Sequence, residues 1–333
     1  MIQFFHMGMS AHEVRAKFMG VYEAQFRGLE NAGAKVFFTE CRPDPACDIV
    51  ITSPTPPHEQ DIERVLKHTS APIVLYVPSA DMWFDKKRLA RMRDRLLLVY
   101  STARSTITES CYAELGIPYL YLPFGSDPKL MRPLGLPPIY DVVFVGGLSH
   151  RQGCEPFIEP LLKRLGQRPA LFVGPGWEKY GLPSQIVAYG ELLNVIYNLG
   201  RVCINFHSAE QKQGEQVRVD LNNRVFDLAM AGCVQVSDNT EGLRWHFRDD
   251  EVIMAETPNE WVDQVLTHIE APEEQQQGIR QRAQRRALAD HTWDQRGRQL
   301  LDFIYSRLTA TERTSARKSP SSRLRWLRSL FID

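Results

Sequence analysis

The 333-residue chain has no excess of charge and no long apolar run. Lys+Arg and Asp+Glu are both 40, so the formal net charge is zero, whereas domains that bind polyanions usually carry a basic excess. Nucleic acid is therefore not expected as a partner. No run approaches the ~18 apolar residues of a membrane-spanning helix. The first fifteen residues also lack the basic and apolar segments of a signal peptide, so we expect a cytoplasmic protein.

The six cysteines follow neither a redox nor a zinc pattern. None forms a CxxC pair, and no group of Cys and His has the spacing of zinc ligands. Cys203 and Cys233 lie inside apolar runs, where a free thiol behaves as a small buried hydrophobe. The cysteines are therefore predicted to be reduced thiols, and no metal site is expected.

Short apolar runs alternate with amphipathic segments along almost the whole chain. Many of the runs, such as PIVLYV (72–77) and LLLVYS (96–101), are apolar at successive positions, which is typical of parallel strands buried on both faces. The intervening segments suit helices, so the sequence predicts a doubly wound α/β architecture. The pattern occurs twice, on either side of a proline-rich segment at 126–140 that is predicted to link two domains.

A strand that ends in two glycines carries the first candidate for ligand binding. The run DVVFVGG (141–147) ends in Gly146 and Gly147, and Arg151 follows four residues later. Glycines let the backbone approach a ligand at the carboxyl edge of the sheet, and a guanidinium can clamp a phosphate there. A tight turn with an exposed arginine explains these residues equally well. In LFVGPGW (171–177), which also ends in Gly-x-Gly, packing is favoured for Trp177 over stacking on a base.

The segment RVDLNNRVFDLAMAGCVQVSD (218–238) contains a predicted helix followed at once by a buried strand. A carboxylate such as Asp227, in the first turns of that helix, can accept hydrogen bonds from ribose hydroxyls. Arg224, one turn earlier, can pair with a phosphate. The alternative is an ordinary local ion pair between the two residues.

A polar loop follows that strand, and its backbone N–H groups form the third candidate. The amides of Thr240, Glu241, Gly242 and Leu243 could make a nest for a pyrophosphate, although a plain connection between a strand and a helix remains the alternative.

Five segments in order resemble the C-terminal domain of GT-B glycosyltransferases of the CgeB-like, glycosyl transferases group 1 type. Asp227 stands where that family usually has Glu, one methylene longer. The segments are YDVVFVGG with Arg151, ELLNVIYNLGRVCINFH (191–207), NRVFDLAMAGCVQVSD (223–238), HFRDDEVIMAETPNEWVDQV (246–265) and DHTWDQR (290–296).

The resemblance implies two Rossmann-like domains that face a cleft. Residues 1–137 would form the acceptor domain and residues 138–290 the nucleotide-sugar domain. A helix at 291–308 would cross back to the N-terminal domain, and a basic, partly flexible tail at 309–333 would follow.

The resemblance further implies a hexosyltransferase-like enzyme that moves a sugar from a nucleotide sugar to an acceptor hydroxyl. A UDP-sugar is the leading co-substrate, and no metal is required. Arg151, Arg224 and the 240–243 loop would stabilise the leaving diphosphate, and Lys212 and Arg218 are alternates. Asp227 would bind the ribose.

A general base is needed only if the reaction inverts the anomeric centre. His12 and Asp81, each near the tip of a predicted strand in the N-terminal half, are the candidates. A retaining enzyme needs neither of them, and the sequence does not decide between the two outcomes.

Several alternatives stay open. The fold could serve another nucleotide-sugar enzyme, an epimerase or hydrolase, or a non-catalytic scaffold. The acceptor could be a glycan, a lipid-linked compound or a protein. Arginines alternate with apolar residues at 323–332, as in helices that lie on an anionic membrane, which would place the protein at the inner face of the cell membrane. Docking of this tail on the protein itself is the alternative.

Overall fold

Two parallel sheets, each covered by helices on both faces, form the protein in a computed structural model. The structure describes residues 2–5, 21–39, 45–53, 65–77, 89–90, 92–148, 154–182, 188, 190–207, 218–238 and 241–318. The predicted doubly wound α/β class is confirmed.

The N-terminal half contains a six-stranded sheet in the order β2-β1-β3-β4-β5-β7. All five pairings in it are parallel. Its central strands β3, β4 and β5 are buried along their whole length, which matches their runs of successive apolar residues. The elements are β1 (Ile2–Phe5), α1 (Val21–Asn31), β2 (Val36–Thr39), β3 (Ile49–Thr52), β4 (Ile73–Val77), β5 (Leu96–Ser101), β6 (Arg104–Ser105), α2 (Thr106–Glu114) and β7 (Tyr119–Tyr121).

The C-terminal half contains a five-stranded parallel sheet in the order β13-β12-β10-β8-β9. Its strands are β8 (Tyr140–Val145), β9 (Ala170–Val173), β10 (Gly200–Asn205), β12 (Gln235–Asp238) and β13 (Ile253–Ala255). Its helices are α3 (Glu155–Leu165), α4 (Gly190–Asn198), α5 (Asn223–Met230), α6 (Glu241–Arg244), α7 (Pro258–Glu270) and α8 (Glu273–Asp290). The short strand β11 (Arg218–Val219) leaves this half and pairs antiparallel with β6 of the N-terminal half.

The last helix, α9 (Trp293–Lys318), returns to the N-terminal half. A capping box separates it from α8. The Thr292 hydroxyl accepts from the Gln295 amide at 3.2 Å, and the Gln295 side-chain oxygen accepts from the Thr292 amide at 2.7 Å. Leu300, Leu301 and Ile304 of α9 are buried in the apolar cluster on one face of the N-terminal sheet.

Helices α1 and α9 cross at two glycines, Gly28 and Gly297. A Cβ on either residue would overlap backbone atoms of the other helix. The absence of both side chains is therefore what lets the two backbones touch, and it fixes α9 against the N-terminal sheet.

Candidate functional site

In the C-terminal sheet, β9 lies on one side of β8, whereas β10, β12 and β13 lie on the other side. The strand order therefore reverses between β8 and β10, which makes the carboxyl edge there a switch point. Ligands of open α/β sheets bind at such a switch point. The strand on one side of it leads into Gly146, and the strand on the other side leads through Asn205 to His207. Asp238 ends β12, the next strand along. Three neighbouring strands therefore bring polar or glycine residues together at one edge.

Arg224 lies beneath this edge, with 6% of its surface exposed. Its Nε donates to the Val145 carbonyl at 2.7 Å, and Nη1 donates to the Asn205 side-chain oxygen at 2.7 Å. The guanidinium also lies 4.5 Å from the centre of the Phe144 ring. Burial lowers the Arg224 pKa. Arg224 thus joins β8 to β10 at the switch point, and its direct contact with a phosphate stays a prediction.

Arg224 occupies the space that a side chain at position 146 would need, which explains why this residue is a glycine. Its φ is +154°, and a Cβ there would overlap the Arg224 Nη2. Its carbonyl accepts from the buried Trp177 Nε1 at 2.8 Å, so Trp177 packs under the turn, as favoured from the sequence. The glycine predicted to admit a ligand therefore also admits a buried cation that supports the turn.

Asp227 is buried on α5 and faces the chain that links the two halves. The Ser126 hydroxyl donates to its Oδ1 at 2.7 Å, and the Asn223 side-chain amide donates to its Oδ2 at 3.2 Å. A narrow pocket of about 70 Å³ lies against it, with Arg27 and Trp293 also in its wall. The carboxylate is therefore positioned by two donors beside a pocket between the halves.

Burial raises the pKa of Asp227 to about 7, although Ser126, Arg224 and Asn223 each act to lower it. The folded protein then holds a proton on Asp227 between about pH 4 and 7 that the unfolded chain, with its ordinary pKa of 3.8, has already lost. The contribution of this group to the free energy of unfolding is complete below about pH 4 and is lost as the pH rises through 7.

We expect Asp227→Asn, which cannot titrate, to remove this dependence. The melting temperature of the variant minus that of the wild type should rise between pH 4.5 and 7.5. Taking the difference matters because burial lowers the pKa of His246 to about 3 and that of His291 to about 4, which gives the wild type an opposing slope. A difference that stays constant with pH would contradict the raised pKa.

Two further polar pairs sit at the same edge, and the sequence interpretation did not select them. The Asn205 amide donates to the Ser237 hydroxyl at 2.9 Å. The Asp238 Oδ1 accepts from the backbone N–H of His207 at 3.0 Å and lies 2.6 Å from its Nδ1. Each of these residues lies within two residues of the carboxyl end of β10 or β12, and that position was the available signal.

The remaining predicted residues divide into two groups. Gly147 lies at the switch point, and Glu241, Gly242 and Leu243 form the single-turn helix α6 after β12, where Gly242 and Leu243 are buried. The backbone of Arg218 pairs with Ser105 in the N-terminal half. The residues His12, Asp81, Arg151, Lys212 and Thr240, and the tail at 323–332, lie outside the described residues.

A polar cluster joins the two halves beside this site. The Tyr121 hydroxyl lies 2.9 Å from the His246 Nε2. The His291 Nε2 donates to the His246 carbonyl at 3.1 Å, and its Nδ1 accepts from Arg296 at 2.7 Å. Burial lowers the pKa of Arg296 to about 10. These bonds tie the chain after α6 to the start of α9.

No group of three or more His, Cys, Asp or Glu side chains in the described part of the chain is placed to hold a metal ion. None of the described helices is long and apolar enough to cross a membrane.

A family model described as glycosyl transferase-like matches residues 151–302. This segment runs from the connection after β8 through most of the C-terminal half and into α9. No curated protein matches the chain.

Solved structures resemble almost the whole chain. HepE of Anabaena in complex with UDP-glucose has a TM-score of 0.62 at 12% identity, over 92% of this chain and 99% of that one. The T4 phage BGT in complex with its UDP-glucose substrate has a TM-score of 0.60 at 12% identity, over 91% and 99%. Sucrose-phosphate synthase from Thermosynechococcus elongatus has a TM-score of 0.60 at 13% identity, over 93% and 99%. These likenesses show that the chain has the GT-B fold.

Proposed function

We propose that this GT-B protein is a glycosyltransferase whose C-terminal half binds a nucleotide sugar, with a UDP-sugar as the leading donor. The observation that carries the proposal is the glycosyl transferase-like match over residues 151–302, which includes the whole of β10, α5 and β12. The switch point of this sheet carries Gly146, and α5 carries a positioned carboxylate, Asp227. HepE and the T4 enzyme, which share the fold, were both solved with UDP-glucose.

In the proposed reaction, an acceptor oxygen forms a bond to the anomeric carbon of the sugar. The bond from that carbon to the phosphate oxygen breaks, and its electron pair stays on the nucleoside diphosphate. The acceptor hydroxyl gives up its proton, to His12 or Asp81 if the reaction inverts. Hydrogen-bond donors fixed in advance around the diphosphate stabilise its growing charge. In this proposal these are Arg151, the amides at 240–243 and the switch-point backbone supported by Arg224.

Asp227 is assigned to the ribose. Ribose hydroxyls donate hydrogen bonds, and a carboxylate can accept two of them. Ser126 and Asn223 each use one lone pair of the carboxylate and hold it in place, so further acceptor capacity remains. The acceptor domain is assigned to residues 1–137, and the acceptor is a glycan, a lipid-linked compound or a protein. Contact of the 323–332 tail with an anionic membrane stays a prediction.

We expect one nucleotide from the set UDP, GDP, dTDP, ADP and CMP to raise the melting temperature, because a ligand that binds only the folded state stabilises it. Above about pH 8, where the carboxyl group of Asp227 is ionised, Asp227→Ala should weaken binding of that nucleotide by roughly 1.5–3 kcal/mol, the value of a hydrogen bond to a charged group. Isothermal titration calorimetry measures this loss.

Adding EDTA should leave both binding and sugar transfer unchanged.

The matched control is Asp249→Ala, which removes an aspartate that is 73% exposed. This variant should bind the nucleotide as the wild type does. If no nucleotide stabilises the wild type, the proposed function is wrong. If the wild type binds and Asp227→Ala binds equally well, only the ribose assignment fails.

A further inference from the structure

His207, which follows β10, has a buried ring nitrogen, Nε2, without a hydrogen-bond partner among the described residues. Its side chain is 6% exposed, and no described residue makes a hydrogen bond to its Nε2. A buried polar atom without a partner destabilises a protein by about 1–3 kcal/mol and calls for an explanation. The other ring nitrogen, Nδ1, is bonded to Asp238, so the ring is held in place while Nε2 can still bond to a ligand.

Asp238 sets the orientation of the ring. Its Oδ1 accepts from both the backbone N–H and the Nδ1 of His207, at 3.0 and 2.6 Å. Nδ1 therefore carries a hydrogen, and Nε2 occupies the opposite corner of the ring. A carboxylate on one nitrogen that directs the other toward a ligand is a recurrent way of orienting histidine.

The location of the ring is the switch point of the C-terminal sheet. Cys203 pairs with Val143 across the two central strands, and His207 lies four residues further on, just beyond the carboxyl end of β10. The N-terminus of α5 lies at the same edge, because Arg224 in its first turn contacts the ends of both strands. Asn222, which precedes α5, has both amide atoms buried without a described partner. Two side chains thus have buried polar atoms without a partner in the described part of the chain, at an edge where a ligand is expected.

The buried guanidinium of Arg224 at this edge already donates hydrogen bonds to Val145 and Asn205. A diphosphate that binds here needs donors that the protein does not itself occupy. When both of its nitrogens carry a hydrogen, an imidazole can donate to Asp238 on one side and to a phosphate oxygen on the other.

We propose that His207 is a catalytic residue that donates a hydrogen bond from Nε2 to the diphosphate of the bound nucleotide sugar, with Asp238 as its positioning residue. The inference rests on the proposed function and adds a contact to it. His207 keeps its proton throughout the transfer. The contact strengthens as the bond from the sugar to the phosphate oxygen breaks, because that electron pair remains on the diphosphate.

Two substitutions separate this role from a structural one. His207→Asn places an amide N–H near the position of Nδ1, so it keeps the bond to Asp238 and removes the atom that would reach the ligand. His207→Gln places its amide near the position of Nε2 and gives up the bond to Asp238. A ligand contact and a structural contact therefore predict opposite rankings of the two variants.

We expect His207→Asn to bind the nucleoside diphosphate found in the nucleotide screen at least tenfold more weakly than the wild type, with a melting temperature close to the wild-type value. His207→Gln should lie within about threefold of wild-type affinity despite a lower melting temperature. Calorimetry and thermal melts measure the two quantities. His268→Asn is the control, because His268 is a buried histidine near the end of α7, at the opposite edge of the sheet.

The result that overturns the inference is wild-type affinity in His207→Asn together with weakened binding in His207→Gln, since that pattern marks a structural role. Equal affinity in both variants and the wild type overturns it as well. If the wild type binds none of the nucleotides, the proposed function fails and this inference fails with it.

Discussion

Replacing Gly297 with alanine is expected to lower the stability of the protein by about 3 kcal/mol, at the upper end of the usual effect of overpacking. A Cβ at this position would overlap the carbonyl carbon and oxygen of Gly28, which are backbone atoms and cannot rotate away. To relieve the overlap, α9 must move away from α1. Because Leu300, Leu301 and Ile304 of α9 fill one face of the N-terminal sheet, that movement also opens an apolar core.

Thermal melts of the wild type and Gly297→Ala measure the effect, expected to be on the order of 5–10 °C in melting temperature. Gly278→Ala is the matched control. Gly278 also lies inside a helix, but a Cβ there would meet only the end of the Arg282 side chain. Alanine favours helix over glycine by up to about 1 kcal/mol, so this variant should be as stable as the wild type or more so. Equal melting temperatures for the two variants would contradict the close crossing of α1 and α9.

Arg224→Ala is expected to destabilise the C-terminal half by roughly 3–5 kcal/mol, from two unsatisfied buried acceptors and a void, and to abolish nucleotide binding. The variant leaves the Val145 carbonyl and the Asn205 side-chain oxygen without their donor, and it opens a void beside the Phe144 ring. Arg224→Lys keeps the charge but loses the forked donors, so its stability should be intermediate. Chemical denaturation followed by tryptophan fluorescence measures the loss, since Trp177 packs against the same turn.

Arg244→Ala tests whether the effect is specific to a buried arginine. Arg244 is likewise an arginine with bonded partners, the acidic side chains Asp249 and Glu256, but half of its side-chain surface is exposed. Exposed ion pairs contribute about 0–1 kcal/mol, so this variant should be nearly as stable as the wild type. If Arg224→Ala keeps wild-type stability and loses only turnover, the guanidinium acts on the ligand, as first predicted from the sequence.

The fold class could be predicted because it depends on local pattern. Runs such as IVLYV and LLLVY are apolar at successive positions, and both belong to strands buried along their whole length. The break between α8 and α9 also has a local cause, because Thr292 and Gln295 have the spacing of a capping box. Burial on both faces and helix capping each involve residues close in sequence, so the sequence alone indicates them.

The site was harder to predict from the sequence because its contacts join residues that are distant in sequence. The sequence places Arg224 and Asp227 in the first turns of a helix, which is where they lie, but it assigned both to the ligand from residue chemistry and the family resemblance. Their partners Asn205 and Ser126 are 19 and 101 residues away. His207 and Asp238, which are 31 residues apart, meet only because β10 and β12 are neighbours in the sheet.

By itself the sequence indicated two doubly wound sheets, which are confirmed. It also indicated a nucleotide sugar at the strand ends of the second sheet, which stays a prediction. Hydrophobic periodicity and residue chemistry are properties of the chain and need no neighbours to be recognised. The tertiary structure decided which polar groups are already used and which remain available. Arg224 donates to two strands, and Asp227 is held by the linker and its own helix. One ring nitrogen of His207 has no hydrogen-bond partner among the described residues. Whether a donor is free depends on what lies within about 3 Å of it, and packing alone sets that distance.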